Sequence, residues 1–205
     1  MAVSKSYLVN LQSNWGYIEG IARERLRRNK TKRHIYKYGD KLEIMGAAGE
    51  VALRKYLGLD VCLHATLDNG LDILFHGYQI DVKTTVWTPR VMFRYLQWPK
   101  DKPIKCDIAF MVAVDLEEKR ANILGFASAF DIENSPVNEQ REIPCYEIPV
   151  SELYCPEMLF ELPNLAYTKL SQKEKCLIIR RYGRGLFEER EKKVKEYPRL
   201  CQVPA

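Results

Sequence analysis

Three charged residues within twelve positions of this 205-residue chain have the types and spacing that could carry out chemistry: Asp72, Asp81 and Lys83. Side chains of a strand alternate between its two faces, so Asp81 and Lys83 share one face while Ile80 and Val82 point to the other. A tight turn at the single glycine between the aspartates would bring Asp72 back beside Asp81, because both lie a similar distance from it. Two carboxylates and an ammonium group are therefore expected at one end of a sheet.

Two facing aspartates repel each other unless a cation lies between them. Hard cations such as Mg²⁺ take oxygen ligands, need few carboxylates and keep waters and substrate phosphate in their coordination shell. A metal bound in this way lowers the pKa of a bound water and stabilises charge on a phosphate. Lys83 could orient or help deprotonate the attacking water, or place a positive charge on the phosphate. We therefore expect metal-assisted phosphodiester hydrolysis with Mg²⁺, with Mn²⁺ able to substitute and with no organic cofactor.

The elements that would position these residues follow from hydrophobic periodicity and capping signals. Strands at 70–76 and 78–84 are predicted to form a hairpin that turns around Gly77. A helix over 41–57 precedes the hairpin, and Gly58 supplies its stop signal. The hairpin and this helix would together build the end of the sheet that carries the charged residues.

Further segments are predicted to extend the same sheet. The apolar run 106–114 is typical of a central strand covered on both faces, and 120–127 is predicted to pair with it. The segment 88–105 contains three prolines and has no assignable element. Other predicted elements are a first helix over about 8–29, a short strand over 60–64 and a final helix from Ser171, capped by Glu174. This order predicts an α/β (α+β) domain with one mixed sheet.

The net charge of +5 is unevenly distributed along the chain. Residues 21–40 carry +6, residues 41–179 carry −5 and residues 180–199 carry +4. A segment as basic as 23–37 can neutralise several phosphates and release their counterions, which favours a nucleic-acid partner. Charge alone does not separate DNA from RNA or an acidic protein, and a solvated basic helix and loop stays an alternative. The candidate DNA contacts are Arg23, Arg27, Arg28, Lys30, Lys32, Arg33, Arg180 and Arg181.

Length and composition exclude several classes of protein. Hydrophobic residues make up 46% and charged residues 29% of the chain, as in ordinary globular proteins. The longest apolar run, Ile108–Val114, is far shorter than the ~20 residues that span a bilayer. The N-terminus has no signal-peptide apolar region, and the six cysteines form no CxxC pair. We therefore expect one domain over residues 1–205 of a cytoplasmic, intracellular protein with reduced thiols and no membrane association; a phage origin stays open.

Asp72 followed by Asp81-Val82-Lys83, after a helix that contains Gly49-Glu50, resembles the active-site signature of the PD-(D/E)XK nuclease superfamily, also called restriction-endonuclease-like. The resemblance covers about residues 41–130, and Leu71 stands where the family name has proline. It implies a restriction-endonuclease-like core, which is a mixed central β-sheet flanked by helices.

The resemblance also implies roles for individual residues. Asp72 and Asp81 would bind Mg²⁺ with help from the carbonyl of Val82. Glu50 would complete the site or bind a second metal, and Lys83 would act on the water.

The expected activity is that of a Mg²⁺-dependent DNA endonuclease, either a site-specific enzyme of homing or restriction type or a structure-selective enzyme acting on junctions. One such site cuts one strand, so a homodimer is expected. Residues 1–40 would then be an N-terminal helix and basic segment, 41–130 the catalytic core and 131–205 a C-terminal extension with a basic helix. Two alternatives remain: a non-catalytic nucleic-acid-binding protein that keeps the fold, and an interaction protein in which the motif arose by chance.

Each candidate site residue also has a structural interpretation. Glu50 could be an exposed helix acid paired with Arg54. Asp72 could be a polar residue near a turn, and Asp81 with Lys83 could be an ion pair on a solvated sheet face. The histidines lack the spacing of zinc sites and are interpreted as structural or solvated: His34, His64 and His76.

Overall fold

The computed structural model describes residues 7–28, 40–63, 71–87, 92–96, 103–140 and 144–183. In these residues a mixed five-stranded sheet lies against helices on one face and a smaller three-stranded sheet on the other. The chain is therefore a mixed α+β protein with helices flanking a mixed sheet.

The described strands, in chain order, are β1 (Tyr7–Asn10), β2 (Ile73–Phe75), β3 (Tyr78–Val86), β4 (Met92–Leu96), β5 (Ile108–Asp115), β6 (Arg120–Ser128), β7 (Val137–Asn138) and β8 (Cys145–Pro149). The helices are α1 (Trp15–Arg28), α2 (Asp40–Tyr56), α3 (Ala129–Glu133), α4 (Met158–Glu161) and α5 (residues 172–183). The larger sheet has the order β1-β6-β5-β3-β2, in which β3 and β5 are parallel and the other neighbours antiparallel. The smaller sheet is antiparallel with the order β4-β8-β7.

The hairpin β2–β3 closes through a two-residue turn at His76 and Gly77. Their φ angles of 50° and 83° both lie in the left-handed region that such turns require. The register pairs Ile73 with Ile80, so the next positions outward along the two strands are those of the two aspartates. Gly77 also packs directly on the backbone of Leu165, where a Cβ would collide. The predicted turn around Gly77 is confirmed.

Strand β5 is the buried centre of the larger sheet, between β3 and β6. Alternate residues of β5 enter two different cores, because both faces of the sheet are covered. Phe110 lies in the core under α1 and α2, whereas Met111 lies in the core under the smaller sheet. The predicted central strand and its pairing with β6 across a charged turn are confirmed.

The predictions at the N-terminal end are partly wrong. The first helix begins at Trp15, because residues 7–10 form β1 and pair with β6 at the sheet edge. The side chain of Asn10 accepts the backbone N–H of Gln12, which turns the chain between strand and helix.

The short strand expected at 60–64 is also wrong over its described residues. The backbone turns at Cys62, whose N–H donates to the carbonyl of Asp60, and the N–H of Leu63 donates to the hydroxyl of Tyr17. A side chain therefore takes the hydrogen bond that a neighbouring strand would have taken.

The predicted helices over 41–57 and from Ser171 agree with the structure. Helix α2 ends just before Gly58, whose φ of 67° is that of a glycine helix stop. Helix α5 follows Ser171, and the side chains of Ser171 and Glu174 each accept the other's backbone N–H, as in a capping box. The proline-containing segment 88–105, for which the sequence predicted no element, contains β4.

None of the helices in the described part of the chain has the length and apolar character needed to cross a bilayer. The described cysteines are free thiols, and Cys201 lies outside the described residues.

Candidate active site

Asp81 and Lys83 lie side by side on the face of β3 that the smaller sheet covers. Ile80 and Val82 point the other way into the core under the helices, as the alternation predicts. The ammonium nitrogen of Lys83 lies 2.9 Å from one carboxylate oxygen of Asp81 and 2.7 Å from the other. The ion pair of the structural interpretation is therefore present, with the Lys83 side chain 33% exposed, but its carboxylate is not on a solvated face, because Asp81 is only 3% exposed.

Asp72 is tied to the same strand from the far side of the hairpin. Its backbone N–H donates to the carbonyl of Ile80 at 3.0 Å, and its carboxylate Oδ2 accepts the backbone N–H of Val82 at 2.6 Å. The carboxylate thus continues the hydrogen-bond ladder of β3 beyond the end of β2. Arg54 of α2 donates to the carbonyl oxygen of Asp72 at 3.1 Å, which fixes the backbone at this position. The hairpin therefore brings Asp72 to the segment that carries Asp81 and Lys83.

The electrostatics of this cluster favour a charged Lys83. Burial alone would lower the pKa of Lys83, but the charge of Asp81, a hydrogen bond to it and the charge of Asp72 raise the pKa above its ordinary value. The side chain is therefore an ammonium at neutral pH, which suits it to donate hydrogen bonds and to attract phosphate rather than to accept a proton.

Tyr95 of β4 and Cys106 border this pair, and the sequence analysis missed both. The ammonium of Lys83 lies 4.9 Å from the centre of the Tyr95 ring, and the Tyr95 hydroxyl lies 3.9 Å from the Cys106 sulfur. Burial raises the pKa of Tyr95 well above its ordinary range, and the charge of Asp81 adds to this effect. Burial and the same charge raise the pKa of the Cys106 thiol to about 12. The alternation of Phe93 and Tyr95 was the available signal, but it lies in the proline-containing segment.

Glu50 lies on α2 but is held by α1. Its carboxylate accepts two hydrogen bonds from the guanidinium of Arg25, at 2.5 and 2.8 Å, and Glu50 is 7% exposed. The alternative of an exposed acid paired with Arg54 is therefore wrong. Within the described residues, the hydrogen bonds of Glu50 go to Arg25 and not to the cluster of Asp72, Asp81 and Lys83.

The basic residues of α1 make ion pairs along their own helix. Arg23 lies 3.4 Å from Glu19, and Arg27 and Arg28 lie 2.8 and 2.6 Å from Glu24. All three arginine side chains remain about half exposed or more, so they stay accessible to a phosphate. The other predicted contacts of this segment lie outside the described residues: Lys30, Lys32 and Arg33.

The two arginines of α5 lie in different surroundings. Arg181 is exposed. Arg180 packs over the ring of Phe130 at 4.2 Å and lies 3.6 Å from Asp131. It borders a cavity of about 430 Å³ that is also lined by acidic side chains: Asp131, Glu147 and Glu152. These acids offset the attraction of Arg180 for phosphate, so Arg181 is the better placed of the two for a DNA contact.

The residues of the hairpin fit a hard divalent cation. The carboxylates of Asp72 and Asp81 and the carbonyl of Val82 are oxygen donors on adjacent strands. No group of three or more His, Cys, Asp or Glu side chains in the described residues is arranged to hold a metal. Mg²⁺ does not require one, because it binds through one or two carboxylates and keeps waters. Lys83 would have to release one oxygen of Asp81 for such binding.

Comparisons of the chain with protein-family models, with curated proteins and with solved structures find no match, so the interpretation of the site depends on its own geometry.

Proposed function

We propose that the chain is a Mg²⁺-dependent DNA endonuclease of the PD-(D/E)XK type, with a restriction-endonuclease-like core. The observation that carries this proposal is the β2–β3 hairpin. It holds the Asp72 carboxylate on the backbone N–H of Val82, directly beside the contact between Asp81 and Lys83. Two acids and one lysine on adjacent strands are the set that metal-assisted phosphodiester hydrolysis needs.

The side chains of the proposed site would have separate roles in the reaction. Asp72, Asp81 and the Val82 carbonyl would hold the metal, and Glu50 would have to leave Arg25 to join them. A bound Mg²⁺ supplies charge stabilisation at the phosphate and a more acidic water. Asp72 is oriented by a backbone N–H, so it needs little rearrangement. Lys83 would use its N–H groups to hold the phosphate or to orient the water, since its neighbours keep it charged.

The charge distribution supports DNA as the partner. The exposed arginines of α1 and the exposed Arg181 of α5 would contact the phosphate backbone. One site hydrolyses one strand, so we propose that a homodimer makes double-strand or junction cuts. Homing or restriction-type and junction-type substrates are both compatible with this arrangement.

A second candidate function is a non-catalytic nucleic-acid-binding protein that keeps this architecture. One observation favours it: each candidate acid already has a partner within the protein. Asp81 is held by Lys83, Glu50 by Arg25 and Asp72 by the N–H of Val82. In a protein that never binds a metal, these contacts would be sufficient to stabilise the buried carboxylates of Asp81 and Glu50 and the partly buried carboxylate of Asp72.

Cleavage assays on a panel of DNA structures distinguish the two functions. The panel contains supercoiled plasmid, duplex, nicked, flap, four-way-junction and single-stranded DNA, each with Mg²⁺. We expect the unmodified protein to cut at least one of them, and Asp72→Asn and Asp81→Asn to lose cutting while still binding DNA. Asp115→Asn is the matched control, because Asp115 pairs with Arg120 at the β5–β6 turn.

Each other outcome has a defined meaning. If the unmodified protein binds DNA in a salt-dependent manner but cuts nothing, the non-catalytic function is correct. Cutting that survives in both aspartate variants would refute the assignment of the site. A protein without salt-dependent DNA binding is neither a nuclease nor a nucleic-acid-binding protein.

A further inference from the structure

Tyr95 borders the Asp81–Lys83 pair, although it belongs to a different sheet. Its ring centre lies 4.9 Å from the Lys83 ammonium, its hydroxyl lies 3.9 Å from the sulfur of Cys106, and the charge of Asp81 helps burial to raise the pKa of that hydroxyl. Tyr95 itself is 7% exposed. It pairs across the smaller sheet with Tyr146 of β8, so its backbone is fixed independently of the hairpin.

The ring of Tyr95 can stabilise the Lys83 ammonium, and its hydroxyl can stabilise the Asp81 carboxylate. An aromatic face attracts an ammonium group, and the attraction grows when water is excluded. A phenol hydroxyl donates to a carboxylate and stabilises its charged form. If Asp81 turns one oxygen toward a metal, Lys83 loses part of its ion pair. The ring then offers the ammonium a second favourable position, and the hydroxyl keeps Asp81 oriented.

We infer that Tyr95 is a positioning residue of the proposed site, which holds the Asp81 carboxylate through its hydroxyl and receives the Lys83 ammonium on its ring. The part of this inference that concerns cutting rests on the proposed nuclease function. The part that concerns the placement of Lys83 and Asp81 does not.

A buried tyrosine can also be simple core packing, and Tyr78 provides that comparison. Tyr78 is fully buried on the same hairpin, and within the described residues its hydroxyl has no hydrogen-bond partner. Tyr78→Phe therefore removes a buried hydroxyl without touching the charged pair. Tyr95→Phe removes the hydroxyl and keeps the ring, and Tyr95→Leu removes both.

The first test separates positioning from packing by steady-state kinetics on the best substrate of the DNA panel. Loss of a hydrogen bond to a buried carboxylate corresponds to a factor on the order of 10 to 100. We expect kcat to fall by at least about tenfold in Tyr95→Phe and further in Tyr95→Leu, with KM for DNA within twofold of the original protein. Tyr78→Phe should leave both constants unchanged. A Tyr95→Phe variant with unchanged kcat, or one in which only KM changes, would overturn the inference.

The second test needs no cutting. NMR spectra of lysine Cε–Hε groups, with the Lys83 signal assigned by Lys83→Arg, report whether that side chain lies over an aromatic ring. We expect a ring-current shift of the Lys83 signal in the original protein and in Tyr95→Phe, and its loss in Tyr95→Leu. Titration with Mg²⁺ alone should move this signal in the original protein but not in Asp81→Asn.

A Lys83 signal that is identical in the original protein and in Tyr95→Leu would overturn the placement. If Tyr95→Leu does not fold, the NMR signal of the Asp81 carboxylate carbon in Tyr95→Phe takes its place. Loss of the hydroxyl should shift that signal, and an unchanged signal would overturn the inference. A protein that cuts no DNA but shows the expected spectra would refute the nuclease function and leave the placement of Lys83 and Asp81 by Tyr95 supported.

Discussion

The buried contact between Arg25 and Glu50 offers a sharp test of what this glutamate does. The side chains of Arg25 and Glu50 are 11% and 9% exposed, and the two terminal nitrogens of the guanidinium group donate to the carboxylate. Arg25→Met keeps most of the side-chain volume but leaves the Glu50 charge buried and unpaired. Removing one partner of a buried pair costs about 3–5 kcal/mol. For a chain of this length, that corresponds to a loss of roughly 6–20 °C in Tm.

Arg23→Met on the same helix is the matched control. Arg23 lies 3.4 Å from Glu19 with a side chain that is 73% exposed, and exposed pairs contribute about 0–1 kcal/mol. Urea unfolding followed by circular dichroism at pH 7 measures both variants, and equal m-values make their free energies of unfolding comparable. The double variant Arg25→Met/Glu50→Leu should recover most of the loss, because neither charge remains buried.

A free energy of unfolding for Arg25→Met within about 1 kcal/mol of the Arg23→Met value would refute this reasoning.

A separate variant, Glu50→Gln, tests whether the Glu50 carboxylate takes part in the proposed chemistry. If Glu50→Gln folds stably but no longer cuts, the carboxylate is needed for the reaction. If Glu50→Gln cuts normally, its carboxylate serves only the contact between α1 and α2.

Three further predictions follow from other contacts. Ca²⁺ should support DNA binding without cutting, because its looser coordination does not position the water. Mn²⁺ should restore cutting after EDTA has removed the metal. Efficient cutting with Ca²⁺ in a nicking assay would contradict the prediction for Ca²⁺. Lys175→Met should lower the free energy of unfolding by about 3–5 kcal/mol, because it leaves Asp107 buried without its cation, whereas the exposed Lys173→Met should change it little. The pKa of Glu24 is lowered to about 2 by hydrogen bonds from Arg27 and Arg28, so its stabilisation of α1 is present above pH 4.5 and is lost as the pH falls toward 2. NMR titration of Glu24 should show this, and Arg27→Gln should raise its pKa.

The hairpin and the central strand could be predicted because their determinants are local. The turn at Gly77, the alternation of β3 and the continuous apolar run of β5 are each contained in a few adjacent positions. The same locality explains why the sharing of a face by Asp81 and Lys83 was predicted correctly.

The missed features depend on contacts between distant parts of the chain. The partner of Glu50 is Arg25, which lies 25 positions away on another helix, whereas the sequence offered the metal site or, as an alternative, the i,i+4 neighbour Arg54. The contact of Tyr95 with Lys83 requires the smaller sheet to fold over the larger one, and no periodicity encodes that packing. Strand β1 resembled the start of a helix because its apolar residues also fit helical spacing, and only its pairing with β6 decides between the two.

The two-residue turn of the β2–β3 hairpin has a consequence for the order of folding. A hairpin closed by so short a turn forms on the microsecond scale, whereas the parallel pairing of β3 with β5 requires a much longer stretch of chain to close first. We therefore expect the two aspartates and Lys83 to meet early in folding, while they are still in water and their charges are screened. Only the later arrival of β5 and the smaller sheet removes that water and strengthens the interactions among them. A peptide limited to the hairpin would bring these side chains together without the elements that bury Asp81, whose charge and hydrogen bond raise the pKa of Lys83 in the folded protein.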